Sequence, residues 1–197
     1  MDAGEWDERY AASTSLWSDG PNELFASIVE GLTPGTALDV ATGEGRTALW
    51  LAQQGWQASA VDFSAVGLKR ASERAAKRGL EVDWQLRDVV ADGLEPGTFD
   101  LVALLYLHVP QARLNDVLAA CSAAVAAGGR LVIIGHDREN LARGTGGPQN
   151  ADILYTAGQL QAAADASGLT VQRCEQVERP VGDATAIDTV LVATREL

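Results

Sequence analysis

Several functions are excluded by what this chain has little of. It contains only two cysteines in 197 residues. Cys121 and Cys174 lie far apart, in no CxxC or Cys/His spacing, so neither a disulfide framework nor a zinc site is expected, and no metal is assigned. Cys121 falls on an apolar helical stripe and reads as packing. Lysine and arginine number 15 against 27 aspartates and glutamates, a formal net charge of -12, and the cations are scattered. Phosphate backbones and anionic membrane surfaces are bound by clustered cations, so no nucleic acid and no membrane is expected as a partner. The amino terminus, MDAGEWDERYAASTSLWSDG, lacks a basic n-region and an apolar h-region, and apolar runs elsewhere are too short to span a bilayer. A cytoplasmic location is the expectation. Internal repeats, heptads and low-complexity tracts are also missing.

What is present is a regular alternation of strand and helix patterns from about residue 36. TALDVA is followed by RTALWLAQQG, QASAVDF by SAVGLKRASERAAKRG, EVDWQLRD by a loop, and FDLVALLYL by QARLNDVLAACSAAVAAGG. Such alternation predicts parallel strands joined by helical crossovers, hence an α/β doubly wound, Rossmann-like sheet with helices on both faces. In the fourth helix Leu114, Val117, Leu118, Cys121 and Val125 recur at helical spacing, and Gly128-Gly129 is expected to end it. GRLVIIGHD then reads as a buried strand and RENLARGTGGPQN as a working loop. After a helix over about 156–167, LTVQRCEQVERPV and AIDTVLVATRE are expected to pair as an antiparallel hairpin at the sheet edge, for about seven strands in all. Residues 1–35 do not fit the alternation. They read as an N-terminal helical cover over a catalytic domain spanning 36–197.

The stretch LDVATGEGRTALWLAQQG passes from strand to helix through a turn. Gly43 and Gly45 allow a sharp bend and close backbone approach to a ligand, and the helix beginning near Arg46 offers free amides. GEGRTA satisfies the GxGxxA dinucleotide fingerprint, so a pyrophosphate and a carboxylate both remain candidates at this point. Asp39, beside the bend formed by Ala41, Thr42 and Gly43, would repel a pyrophosphate and suits an ammonium group, directly or through water. Asp62 ends the second strand, where an acid accepts from ribose hydroxyls. Asp88 ends the third and can accept the exocyclic amine of adenine, with the Val89 amide completing the edge and Phe63 offering a ring face. For each acid a helix-cap or structural role is the plain alternative.

Three acids at successive strand ends, in register with a glycine turn, resemble the class I S-adenosylmethionine-dependent methyltransferases. The resemblance rests on LDVATGEGRTALWLA, AVDFS, RDV and FDLVALLYLHVP, covers about residues 36–195, and is closest in type to small bacterial enzymes of the tellurite-resistance and thiopurine kind. It implies S-adenosylmethionine as cofactor, S-adenosylhomocysteine as product and a small-molecule methyl acceptor. It further implies cofactor contacts from Asp39, Ala41, Thr42, Gly43, Gly45 and Arg46, from Asp62 and Phe63, from Asp88 and Val89, and from Leu104 on the fourth strand. One departure stands out: Ala41 occupies a position where that family usually has glycine. In an NAD-dependent oxidoreductase, the competing reading, a second dinucleotide half and a Tyr-x-x-x-Lys pair would be expected, and both are missing. A non-catalytic S-adenosylmethionine-binding regulator is the third reading.

Methyl transfer from a sulfonium depends mainly on alignment, worth about 7–11 kcal/mol, so a base is needed only where the acceptor carries a proton. The polar residues after the fourth strand are Tyr106 and His108, and His136 ends the fifth. Both histidines are candidate bases and pocket residues. Asp137, adjacent to His136 on an extended chain, points to the opposite face and is not expected to orient it. Tyr155, with the glycine-rich loop, is expected to shape the acceptor pocket. Trp6, Tyr10 and Trp17 place aromatic surface in the amino-terminal segment, and Trp17 is expected to cap the sulfonium through a cation–π contact. A monomer and a homodimer are both compatible with the sequence.

Overall fold

The computed structural model describes residues 2–13 and 20–197; Trp17 lies outside the described residues. The elements run α1 (Ala3–Ala11), α2 (Glu23–Val29), β1 (Thr36–Val40), α3 (Arg46–Gln53), β2 (Gln57–Asp62), α4 (Ala65–Arg78), β3 (Asp83–Leu86) and α5 (Val89–Asp92). They continue β4 (Phe99–Leu105), α6 (Gln111–Ala124), β5 (Val125–His136), α7 (Asn140–Arg143), α8 (Ala157–Ala166), β6 (Thr170–Val181) and β7 (Ala184–Thr194).

Among the described residues the seven strands form one sheet in the order β3-β2-β1-β4-β5-β7-β6. The first five run parallel, whereas β7 inserts antiparallel between β5 and β6. The strand order reverses between β1 and β4, so the crevice beyond their carboxyl ends is where such a sheet takes a ligand. Because β7 runs the other way, its early residues lie at that same edge.

Local chemistry sets the helix ends. Ser64 caps α4 by accepting from the Gly67 amide, Lys77 and Arg78 fill the last turn, and Gly79 closes it with a left-handed φ of 64°. Side-chain alternation along the strands then feeds two apolar clusters, one on each face. Val102, Leu104, Leu131 and Ile133 meet Leu114 and Leu118 of α6 and Leu160 of α8 on one face. Leu101, Ala103, Val132, Ile134 and Val190 meet Phe25, Val29 and Leu51 on the other.

Two expectations need correction. Helix α6 stops at Ala124, before Gly128-Gly129, because Val125 is already extended and pairs with Phe99 of β4. The boundary at residue 35 also misplaces α2: Phe25 is fully buried within the second cluster, so α2 belongs to the α/β/α core. Helix α1 packs against α4, with Asp7 accepting from the Ser64 hydroxyl and the Val66 amide and with Tyr10 buried.

Candidate active site

The turn after β1 is built from alternate left-handed residues: Ala41 at φ 56°, Gly43 at 57° and Gly45 at 79°. Thr42 donates its amide to Val61 O at 3.1 Å and Gly45 to Thr42 O at 3.0 Å. Glycine adopts this backbone freely, whereas Ala41 bears a cost of about 1–2 kcal/mol. The family glycine is therefore replaced at a position that keeps the glycine conformation.

Asp39 is buried beneath this turn. One carboxylate oxygen accepts from the Thr42 hydroxyl and from the Ala48 amide at 3.0 Å, which caps α3 from the strand side where Gly45 offers no side chain. Burial pushes its carboxyl up to about 7 against the opposing pull of those hydrogen bonds and of Arg46. Asp39 thus staples the turn through one carboxylate oxygen.

Asp62 has a similar double duty. It accepts from the Gly43 amide with one oxygen and from the Ser64 amide with the other, both at 2.8 Å. Burial raises its pKa, while the Ser64, Gly43 and Phe63 amides act against that rise. A carboxylate has about four lone-pair sites, so Asp62 retains capacity for a hydroxyl beside these amides. Asp88 caps α5 through the Val90 amide at 3.0 Å and forms an ion pair with Arg113. Burial works to raise its pKa, but Arg113 and the α5 amides prevail and lower it.

Between Asp62 and Asp88 lies an apolar crevice walled by Ala41, Val61, Phe63, Val89, Leu107 and Val117. Alongside it, sharing Phe63 and Asp88, is a cleft of about 320 Å³ lined also by Asp2, Arg87 and Asp92. Asp62 and Asp88 both border the crevice, and Arg87 and Arg113 line it as well. Leu104 is not part of it: fully buried in the first cluster, it lies below the strand end, and Leu107 takes the wall position.

On the other side of the turn, Tyr106 has a left-handed φ of 57°. By strand alternation its side chain would follow Leu104 into the first cluster; the reversed backbone sends it to the second, beside α2. There its hydroxyl donates to Asp188 at 2.7 Å and accepts from Asn22 at 2.9 Å. Arg179 donates Nε to the same Asp188 oxygen at 2.7 Å. His136 Nδ1 lies 3.0 Å from the other oxygen, close enough for an ion pair but misaligned for a hydrogen bond. Burial would raise the Asp188 carboxyl, yet His136, Arg179 and Tyr106 together hold it at about 2.

His108 stacks on His136 with ring centroids 5.4 Å apart. Its Nδ1 meets Ile153 O at 3.0 Å, and burial depresses its pKa to about 4, keeping the ring neutral. It secures the segment before α8 and does not cap the helix after Pro110. Asp137 turns away from His136, bonding Thr189, Gln176 and the Glu139 amide. Tyr155 corrects the expectation of a pocket wall on a working loop: it is fully buried, packs against Gly135 and donates to Leu107 O. Tyr106, His108 and His136 come together; Tyr155 lies behind His108 in the core.

Asp188, Arg179 and Asn22 escaped the sequence reading. A signal existed for one of them, since Asp188 interrupts the otherwise apolar and small run AIDTVLVA. Among the described residues no group of three or more His, Cys, Asp or Glu can hold a metal, and no helix is long and apolar enough to cross a membrane.

Comparison with known proteins agrees with this geometry. Residues 37–129 match a family model described as a methyltransferase domain. A ubiquinone biosynthesis O-methyltransferase of Idiomarina loihiensis is 32% identical over 140 residues, 62% of this chain and 56% of that one. A demethylmenaquinone methyltransferase of Thermus thermophilus is 34% identical over 103 residues, 51% and 47% of the two chains. The alignments thus take in about half the length of these curated relatives. In fold, the chain is similar to a solved protein from work on the conversion of a disulfide bond into a thioacetal group during echinomycin biosynthesis. That pair has a TM-score of 0.80 and 19% identity, covering 98% and 93% of the two chains. TehB from Haemophilus influenzae shares the fold at a TM-score of 0.74 and 13% identity, over 98% of this chain and 67% of that one. The matched segment, just under half of the chain, holds the glycine turn, Asp62, Asp88 and β4, and over it the chain is similar to methyltransferase domains.

Proposed function

We propose that the protein transfers a methyl group from S-adenosylmethionine to a small-molecule acceptor. The observation that carries this reading is Asp62: it ends β2, is locked to Gly43 of the turn, and borders an apolar crevice that Phe63, Val89 and Asp88 also line. In the proposed arrangement the ribose meets Asp62, the adenine lies against Phe63, Val89 and Leu107 near Asp88, and the amino-acid end rests on the turn from Ala41 to Arg46. Bound there, the cofactor supplies an electrophilic methyl group. The chain's own share is alignment and, for a protonated acceptor, removal of a proton by a side chain on the Tyr106, His108 and His136 side. Relatives named for ubiquinone and menaquinone biosynthesis support a small acceptor.

Calorimetry against S-adenosylmethionine, S-adenosylhomocysteine and NAD(H) tests this. Saturable binding of the first two is the expected result. Saturable binding of NAD(H) alone would overturn the reading in favour of an oxidoreductase. Transfer of labelled methyl to any of a panel of phenols, thiols and amines distinguishes an enzyme from a binding regulator.

A further inference from the structure

We infer that Arg113 gates the base subsite of the cofactor: its ion pair with Asp88 closes the crevice, and a purine 6-amino group enters by taking the place of Arg113 on that carboxylate. This rests on the S-adenosylmethionine reading above and goes further in naming the residue that controls entry.

Two cavities meet at this ion pair. The crevice between Asp62 and Asp88 measures about 50 Å³, well below the roughly 300 Å³ at which ligand pockets begin. The cleft beside it measures about 320 Å³. Phe63, Arg87, Asp88 and Arg113 line both, so these four residues form the shared boundary. Helix α6 brings the gate to it. Arg113 and Val117 stand one turn apart and both line the crevice, while Leu114, Leu118 and Cys121 of the same helix go to the core. The Arg113 side chain is 43% exposed, so it can swing about its own bonds without moving the helix.

Asp88 is committed while the pair stands. One oxygen accepts from the Val90 amide at 3.0 Å and the Ala91 amide at 3.5 Å, and the other accepts from Arg113. The Asp88 amide is fixed as well, donating to Asp92 at 2.8 Å, so the carboxylate keeps its place when its partner changes. A 6-amino group is a donor, as the guanidinium is, and can replace it on the same oxygen. The displaced guanidinium has room in the wide cleft, where Asp2 and Asp92 compensate its charge. A partly exposed ion pair is weak, so it yields to a ligand at a modest cost in affinity. Arg87 borders both cavities too, but its guanidinium lies toward Gly93 O at 3.5 Å, and among the described residues it forms no ion pair with Asp88.

Calorimetry with S-adenosylhomocysteine, whose charges cancel, compares the unaltered protein with Arg113→Gln and Arg87→Gln. The second variant removes the same charge from the same two cavities and leaves the pair intact. The expected result is binding about two- to five-fold tighter in Arg113→Gln and unchanged in Arg87→Gln. The gain should shrink between about 20 mM and about 500 mM salt, because salt weakens the pair in the unaltered protein. Unchanged or weaker binding in Arg113→Gln overturns the proposal, and so does equal tightening in Arg87→Gln, which would be a general effect of charge. A second measurement uses the unaltered protein: the side-chain Nε–H signal of Arg113 in NMR, assigned with Arg113→Lys, is expected to move when S-adenosylhomocysteine is added. A signal that stays in place overturns the gate. If neither S-adenosylmethionine nor S-adenosylhomocysteine binds the unaltered protein, the broader reading fails. If both bind and Arg113→Gln shows no gain, only this inference falls.

Discussion

His136 and Asp188 face one another across β5 and β7 with Nδ1 3.0 Å from Oδ1, and the same buried carboxylate also binds Tyr106 and Arg179. Removing it leaves three polar groups without their partner. Asp188→Ala is expected to lower stability by about 2–4 kcal/mol, the range for breaking a buried, hydrogen-bonded charge cluster. Urea unfolding reads this directly, and a loss under 0.5 kcal/mol would mean the cluster is not formed in solution.

At Ala41 the chain keeps a left-handed φ of 56° with a methyl group in place. Glycine relieves about 1–2 kcal/mol of that strain and loses about 0.5–1 kcal/mol to unfolded-state entropy. Ala41→Gly is therefore expected to stabilise the protein by about 0.5–1 kcal/mol, a rise in Tm of about 1–4 °C for a domain of this size. A lower Tm would show that the methyl group packs usefully against the crevice.

The Asp39 carboxyl is pushed up to about 7 by burial, above its ordinary 3.8. The folded state therefore holds a proton that the unfolded state has released. The resulting stability is fully present below about pH 4 and is lost as pH rises through 7. Asp39→Asn, which keeps an oxygen for Thr42 or Ala48, should flatten the stability curve between pH 4 and 8. Equal pH dependence in both proteins, followed by chemical denaturation, would contradict this.

Asp62 joins the turn to the proposed ribose site. Asp62→Ala is expected to weaken S-adenosylmethionine binding by about 1–3 kcal/mol and to lower Tm, because the Gly43 and Ser64 amides lose their acceptor as well. Unchanged affinity by calorimetry would remove Asp62 from the cofactor site.

Phe25 sits edge-on to Trp50 at 5.8 Å and is fully buried against the sheet. If α2 belongs to the core, Phe25→Ala costs about 3–5 kcal/mol. A loss below 1 kcal/mol would restore the view of α2 as part of a detachable cover.

The sheet and its crossovers were legible in the sequence because strand and helix periods and turn residues act between neighbours in the chain. Where local signals competed, the reading slipped. Gly128-Gly129 resembles a helix stop, yet a Cβ at Gly129 would come 2.9 Å from Ala126 O and Phe99 O, so that glycine serves a close backbone approach. Tyr155, read as a loop residue, fills the core because the chain returns to bridge Asp137.

By itself the sequence determined the α/β class, the glycine turn, the line of acids at Asp39, Asp62 and Asp88, and the two histidines beyond it. Only the tertiary structure decided how those groups are engaged. It turned Asp39 inward as a staple, left lone pairs on Asp62, and reversed Tyr106 so that it reaches Asp188, 82 residues away in the chain. The reason is physical: a carboxylate's role depends on which donors surround it, and those donors come from strands that are adjacent only after the sheet has formed.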